Sequence, residues 1–151
     1  DLFPFKNSRF SRLPSGFLLE VNKAPSPEEL NRLLSRCNSE MYSSKKLAIA
    51  LKNSFCNLSI LEEKTKKLSA FVRITTDQGL NANLWDLAAS PGDYQREFLG
   101  VLIHHSLAII KNKLPGCSVS VAAPPIALQV IENEGFIIDP DGIRTMAFRI
   151  R

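Results

Sequence analysis

Leu80-Asn81-Ala82-Asn83-Leu84-Trp85-Asp86-Leu87-Ala88-Ala89-Ser90-Pro91-Gly92-Asp93-Tyr94-Gln95-Arg96-Glu97-Phe98-Leu99-Gly100 reads as a β-strand that runs through a loop into the first turn of a helix. Strand, loop and helix in that order gather unpaired backbone N–H groups at the positive end of a helix dipole, which is how an anion-binding site is built. The side chains oppose this use. A phosphate cradle needs small residues around its amides, and Arg96, Glu97 and Phe98 stand at the turn instead.

Downstream of Gln95, the residues Leu99, Leu102, Ile103, Ser106, Leu107 and Ile110 keep a helical period until Lys113 and Pro115-Gly116 end it. Upstream, Ser26-Pro27-Glu28-Glu29 is a capping box with proline at the first helical position, followed by Leu30, Leu33, Leu34 and Cys37 on one face. A second helix is expected over Ser44 to Asn53, burying Leu47, Ala50 and Leu51. Phe17 to Asn22 reads as the first strand. Cys56 to Leu61 and Leu68 to Thr75 flank the charged segment Glu62-Glu63-Lys64-Thr65-Lys66-Lys67, the pattern of an antiparallel hairpin with a solvated turn. Leu84 to Ala89 is the next strand and Ser118 to Ala122 a short one. Pro125 to Glu134 is a helix closed by Gly135, and Phe136 to Asp139 with Ile143 to Ile150 predict a last hairpin around Pro140-Asp141-Gly142. The order β, α, α, β, β, β, α, β, α, β, β implies a mixed α/β sheet.

With 151 residues, 44% hydrophobic and 23% charged, the chain suits one core, read as an extended arm over residues 1–16 and a single domain over 17–151. The longest apolar run, Phe98 to Ile110, is interrupted by Gly100, His104, His105 and Ser106. It falls short of the roughly 18 to 20 apolar residues of a membrane span, so no transmembrane segment is expected. Cys37, Cys56 and Cys117 are odd in number and far apart, which supports neither a disulfide framework nor a zinc site and predicts buried thiols in a reducing compartment. Asp1 at the first position fits a processed or a trimmed terminus. In the arm, Phe3, Phe5 and Phe10 interleave with Lys6, Arg9 and Arg12. This makes it a candidate contact element for a protein partner or complex, the alternative being an arm folded over its own domain. Nucleic-acid binding is not favoured, because the net charge is only +4 and no nucleic-acid module signature occurs.

That element order, together with Asn81-Ala82-Asn83-Leu84-Trp85-Asp86, Gly135-Phe136 and Asp139-Pro140-Asp141-Gly142-Ile143-Arg144-Thr145-Met146, resembles the GNAT superfamily of acyl-CoA N-acetyltransferases. Within it, the plastid and cyanobacterial serotonin N-acetyltransferase-like branch is the more similar. The likeness runs from Phe17 to the end of the chain. It implies a central mixed, mostly antiparallel sheet of about seven strands flanked by about four helices. It also implies acetyl-CoA as cofactor, acetyl transfer to a primary amine, and a plastid stroma or cyanobacterial cytoplasm as location. By this resemblance Leu87, Ala88 and Ala89 would run along the pantetheine, while Gln95, Arg96, Glu97, Phe98, Leu99, Gly100 and Val101 would surround the pyrophosphate.

The family loop follows Q/R-x-x-G-x-G/A. Gln95 and Gly100 hold its first and last positions, Phe98 replaces the middle glycine, Arg96 replaces a further glycine of this branch, and Gly92-Asp93 lengthens the loop by one residue. A phenyl ring there is expected to obstruct a diphosphate, and Glu97 adds an opposing charge that Arg96 could offset. Acetyl transfer also needs a proton taken from the amine and one given to the thiolate. The tyrosine that many family members carry in the fourth helix is Ile131, and the acidic residue of plastid members after the fifth strand is Pro124, followed by Pro125. His104, His105, Asp86, Glu132, Glu134 and Tyr94 do not combine into an acid–base pair, and the histidines lack a third metal ligand. No catalytic side chain is assigned. The expectation is a weakened or lost acetyltransferase; the alternative is a pseudo-acetyltransferase serving as an interaction or structural subunit of a larger complex.

Overall fold

Alternating apolar residues build the sheet, and capped amphipathic segments cover its two faces. The computed structural model describes residues 11–151, so Phe3, Phe5, Lys6, Arg9 and Phe10 of the arm lie outside the described residues. The strands are β1 (Phe17–Val21), β2 (Cys56–Glu62), β3 (Leu68–Thr76), β4 (Asn81–Ala89) and β5 (Ser118–Val121). The helices are α1 (Pro27–Arg36), α2 (Ser44–Asn53), α3 (Gln95–Lys113) and α4 (Leu128–Asn133), the last entered through a 3-10 turn at Pro125–Ala127. Among the described residues the sheet has five strands in the order β1-β2-β3-β4-β5, antiparallel except for the parallel β4–β5 pair.

Cys56, Leu58 and Ile60 of β2, Ala70, Val72 and Ile74 of β3, and Ala82, Leu84, Leu87 and Ala89 of β4 are buried in one cluster with α3 and α4. Leu30, Leu33 and Leu34 of α1 and Leu47 and Leu51 of α2 cluster with Leu68, Phe71 and Ala88. Each fully buried Leu, Ile, Val or Phe among them contributes about 1.5–3 kcal/mol, and each alanine less than half of that. The capping box starts α1 as its sequence requires: the Ser26 hydroxyl accepts from the Glu29 amide at 3.1 Å and the Ser26 amide donates to the Glu29 carboxylate at 3.4 Å.

One irregularity matters for the site. Phe71 pairs with Ala88 and Arg73 with Trp85, so Val72 alone faces both Asp86 and Leu87. This is a β-bulge. Asp86 sits in the left-handed region at φ 56°, a conformation that aspartate and asparagine tolerate better than most residues.

Three expectations need correction. Among the described residues the sheet has five strands rather than about seven, because the predicted hairpin of Phe136 to Asp139 with Ile143 to Ile150 does not form. Asp139 and Asp141 are left-handed at φ 46° and 54°, and Pro140 has no amide to donate, so the chain makes a 3-10 turn that does not lay its flanks side by side. Second, β4 begins at Asn81 rather than Leu84. Asp77 Oδ1 accepts from the amides of Gly79, Leu80 and Asn81 at 2.9, 2.8 and 3.1 Å, a tight turn that lets pairing start at once. Third, Pro124 and Pro125 remove two amides, which shortens the fourth helix to Leu128–Asn133.

Candidate active site

The parallel pair opens into a slot. Register between β4 and β5 ends at Leu84 with Val121, and the Ala122 amide donates to the Leu84 carbonyl at 3.2 Å. Beyond that point β4 continues to Ala89 with β3 on one side and no ladder partner on the other among the described residues. The bulge bends β4 at Asp86, and the two prolines turn the chain away after β5. α3 rises from the end of β4, α4 follows β5, and the slot lies between them at the carboxyl ends of the strands, where open α/β sheets take their ligands.

At the start of α3 the amides divide into spent and bare. Gln95 N donates to the Gly92 carbonyl at 3.3 Å and Phe98 N to the Tyr94 carbonyl at 2.9 Å. Among the described residues no acceptor meets the amides of Arg96 and Glu97, whose side chains are exposed. Two such donors at the positive end of a nineteen-residue helix suit an anion. The turn is held in place: Gln95 Nε2 donates to the Ala89 carbonyl at 3.0 Å, and Arg36 Nη2 donates to the Leu68 carbonyl at 2.8 Å and to Ser90 Oγ at 3.2 Å.

The remaining sequence-predicted residues fall into place around these amides. The ring of Phe98 is 4% exposed and lies edge-on to Phe17, centroids 4.8 Å apart, with Tyr94 at 6.1 Å. It is thus packed in an aromatic cluster that walls a shallow cavity of about 190 Å³ beside Lys67 and Ser90. Leu99 and Val101 are buried in the core, as are the side chains of Leu87, Ala88 and Ala89, which leaves only main chain to face the slot. Gly100 is buried against the chain's own N-terminal segment. A Cβ built there would fall on Ser11 Oγ, 2.5 Å from Ser11 Cβ and 3.6 Å from Val130 Cγ1 of α4. Leu13 packs against the main core.

Behind the bulge, on the α1 and α2 side, a second arrangement is made of side chains. Tyr42 Oη donates to Asp86 Oδ1 at 3.0 Å, and Arg73 Nε donates to Asp86 Oδ2 at 2.5 Å. A cavity of about 150 Å³ is lined by these three residues with Lys46, Leu47 and Ala50. Burial, followed by the Asp86 charge and hydrogen bond, pushes the Tyr42 phenol up to about 12. Trp85 Nε1 donates to Thr75 Oγ1 at 2.9 Å alongside. Tyr42 and Arg73 are missed by the sequence reading; the one local signal is a lone arginine in the apolar run Leu68–Thr76. Elsewhere, His104 Nδ1 lies 3.6 Å from Glu134 Oε2, burial and then His104 hold the His105 imidazole below its ordinary value, and Ile131 is buried.

No family model matches the chain. Over 130 residues it is 34% identical to the uncharacterized N-acetyltransferase ycf52 of Pyropia yezoensis, covering 85% of this chain and 74% of that protein. The chain belongs to the GNAT family of N-acetyltransferases. Over 134 residues it is 29% identical to the GCN5-related N-acetyltransferase 1, chloroplastic, of Arabidopsis thaliana, covering 88% and 68% of the two chains. It spans 59% of the ycf52 protein of Porphyra purpurea. The GNAT fold is equally plain in three dimensions. A probable acetyltransferase of Staphylococcus aureus superposes with a TM-score of 0.76 at 19% identity over 88% of this chain and 100% of the other. The ribosomal-protein-S18-alanine N-acetyltransferase of Escherichia coli superposes with 0.59 at 19% identity over 78% and 77%.

Proposed function

We propose that this GNAT protein binds acetyl-CoA in the β4–β5 slot and transfers its acetyl group to a primary amine, at a rate set by orientation rather than proton transfer. One observation carries the reading: the parted strands lead directly to the bare amides of Arg96 and Glu97. Those donors fit phosphate oxygens, and the unpaired edge of Leu87 to Ala89 fits an extended amide chain. When bound, the cofactor supplies the acetyl group as a thioester. Gln95 fixes the turn, and the cavity bounded by Tyr42, Arg73 and Asp86 gives an amine an approach from the opposite side of β4. Ile131 has no proton to give, so general-acid help is absent there and turnover is expected about 10²-fold below that of a relative with a tyrosine. Positioning of the two reactants supplies what remains. Plastid residence is supported by relatives named as chloroplastic.

Calorimetry with acetyl-CoA up to millimolar concentration, paired with release of free thiol in the presence of an amine, tests the reading. Binding with slow thiol release is expected. Absence of both heat and thermal shift would end it. The exposed apolar residues Ile143, Met146, Phe148 and Ile150 favour a second reading, a non-catalytic subunit of a larger complex. A lone monomer with ordinary turnover, purified from the native source, would remove that alternative.

A further inference from the structure

We propose that the segment Ser11–Leu13 is an internal plug that competes with acetyl-CoA for the α3 face at Gly100; this rests on the cofactor reading above. Ser11 stands where a side chain at Gly100 would be, in the crevice between α3 and Val130 of α4. Leu13 anchors the segment on the main core, and after Gly16, whose carbonyl accepts from the Glu63 amide at 2.8 Å, Phe17 meets Phe98 edge-on. The segment therefore runs from the crevice between α3 and α4 to the aromatic cluster at the start of α3. By the helical rise Gly100 lies only about 7 Å along the axis from Gln95, beside the bare amides of Arg96 and Glu97. A diphosphate seated on those amides with its pantetheine entering between α3 and α4 needs the space that Ser11 fills. Two occupants of one crevice exclude each other. A ligand that binds only after the plug has left has its affinity reduced by the fraction of molecules in which the plug is out.

The full chain, titrated with CoA by calorimetry, separates the outcomes. Gly100→Ala expels Ser11 while improving helix propensity, and alanine is a residue the family loop accepts at that position. Leu13→Asp loosens the same segment through its anchor, away from α3. Both variants are expected to bind CoA at least about fivefold more tightly than the parent, as release of a mostly closed equilibrium requires. Ser11→Gly added to Gly100→Ala makes room for the new methyl group and should return affinity toward the parent value. In the unmodified chain, saturating CoA should speed amide exchange in the peptide spanning Ser11–Ser15. If the parent binds CoA while both single variants bind no more tightly and exchange in that peptide is unchanged, the plug is refuted and the cofactor site stands. If none of the chains binds CoA, the cofactor reading itself falls and the plug with it.

Discussion

On the α3 side of β4 the polar groups left open are main-chain amides, whereas on the α1 and α2 side they are the side chains of Tyr42, Arg73 and Asp86. The first surface survives substitution of its motif residues, because Phe98 turns its ring into the core and leaves the amides of Arg96 and Glu97 in place. The second depends on identity at every position. A loop can therefore lose the glycines of its family pattern and keep its donors, while a single replacement behind the bulge dismantles a network.

Three substitutions sharpen or break this contrast. The largest effect is expected for Phe98→Ala, which empties a buried ring site and should cost about 3–4 kcal/mol in urea denaturation. CoA affinity of the folded fraction should nevertheless stay within about threefold, because the ring holds no phosphate; a larger change would show that the ring supports the cradle after all. Next, Arg73→Met leaves the Asp86 carboxylate without its cation. The pair retains some solvent contact, with side chains 18% and 8% exposed, so a loss of about 2 kcal/mol is expected rather than the full cost of breaking a buried pair. The Michaelis constant for the amine should rise while CoA binding is spared; an effect on CoA alone would reverse the assignment of the two faces. The smallest effect concerns pH. Because the Tyr42 phenol is raised from 10.0 to about 12, its contribution to stability is whole below pH 10 and declines as pH climbs through 12, the unfolded chain losing its proton first. Tyr42→Phe should lack that decline, seen as midpoints of denaturation that converge with the parent between pH 10 and 12.

Much of the fold is legible because its signals are local. Ser26 to Glu29 start α1, Pro115-Gly116 lie just past the end of α3, and the lysine-rich turn joins β2 to β3, all within a few residues of the groups they bond. The last hairpin is not legible in the same way. Pro140-Asp141-Gly142 is a turn in either case, but pairing of its flanks depends on backbone angles at Asp139 and Asp141 that residue type does not fix. At the candidate site, Gln95 starts α3 and its side-chain amide bonds back to the Ala89 carbonyl, a contact within a few residues. What sequence alone hides are meetings across long separations: Tyr42 with Asp86, 44 positions on, and Ser11 with Gly100.

The bulge at Asp86 leaves a signature that a saturation scan of β4 would record. Ahead of it, even-numbered residues, Ala82 and Leu84, point toward α3; behind it, the odd-numbered Leu87 and Ala89 do. Intolerance to polar substitution should thus march in steps of two, slip its phase once at Asp86, and resume on the opposite count. Removing Asp86 alone should erase that slip, because an unbroken alternation from Ala82 onward would then keep Leu87 and Ala89 turned toward α3.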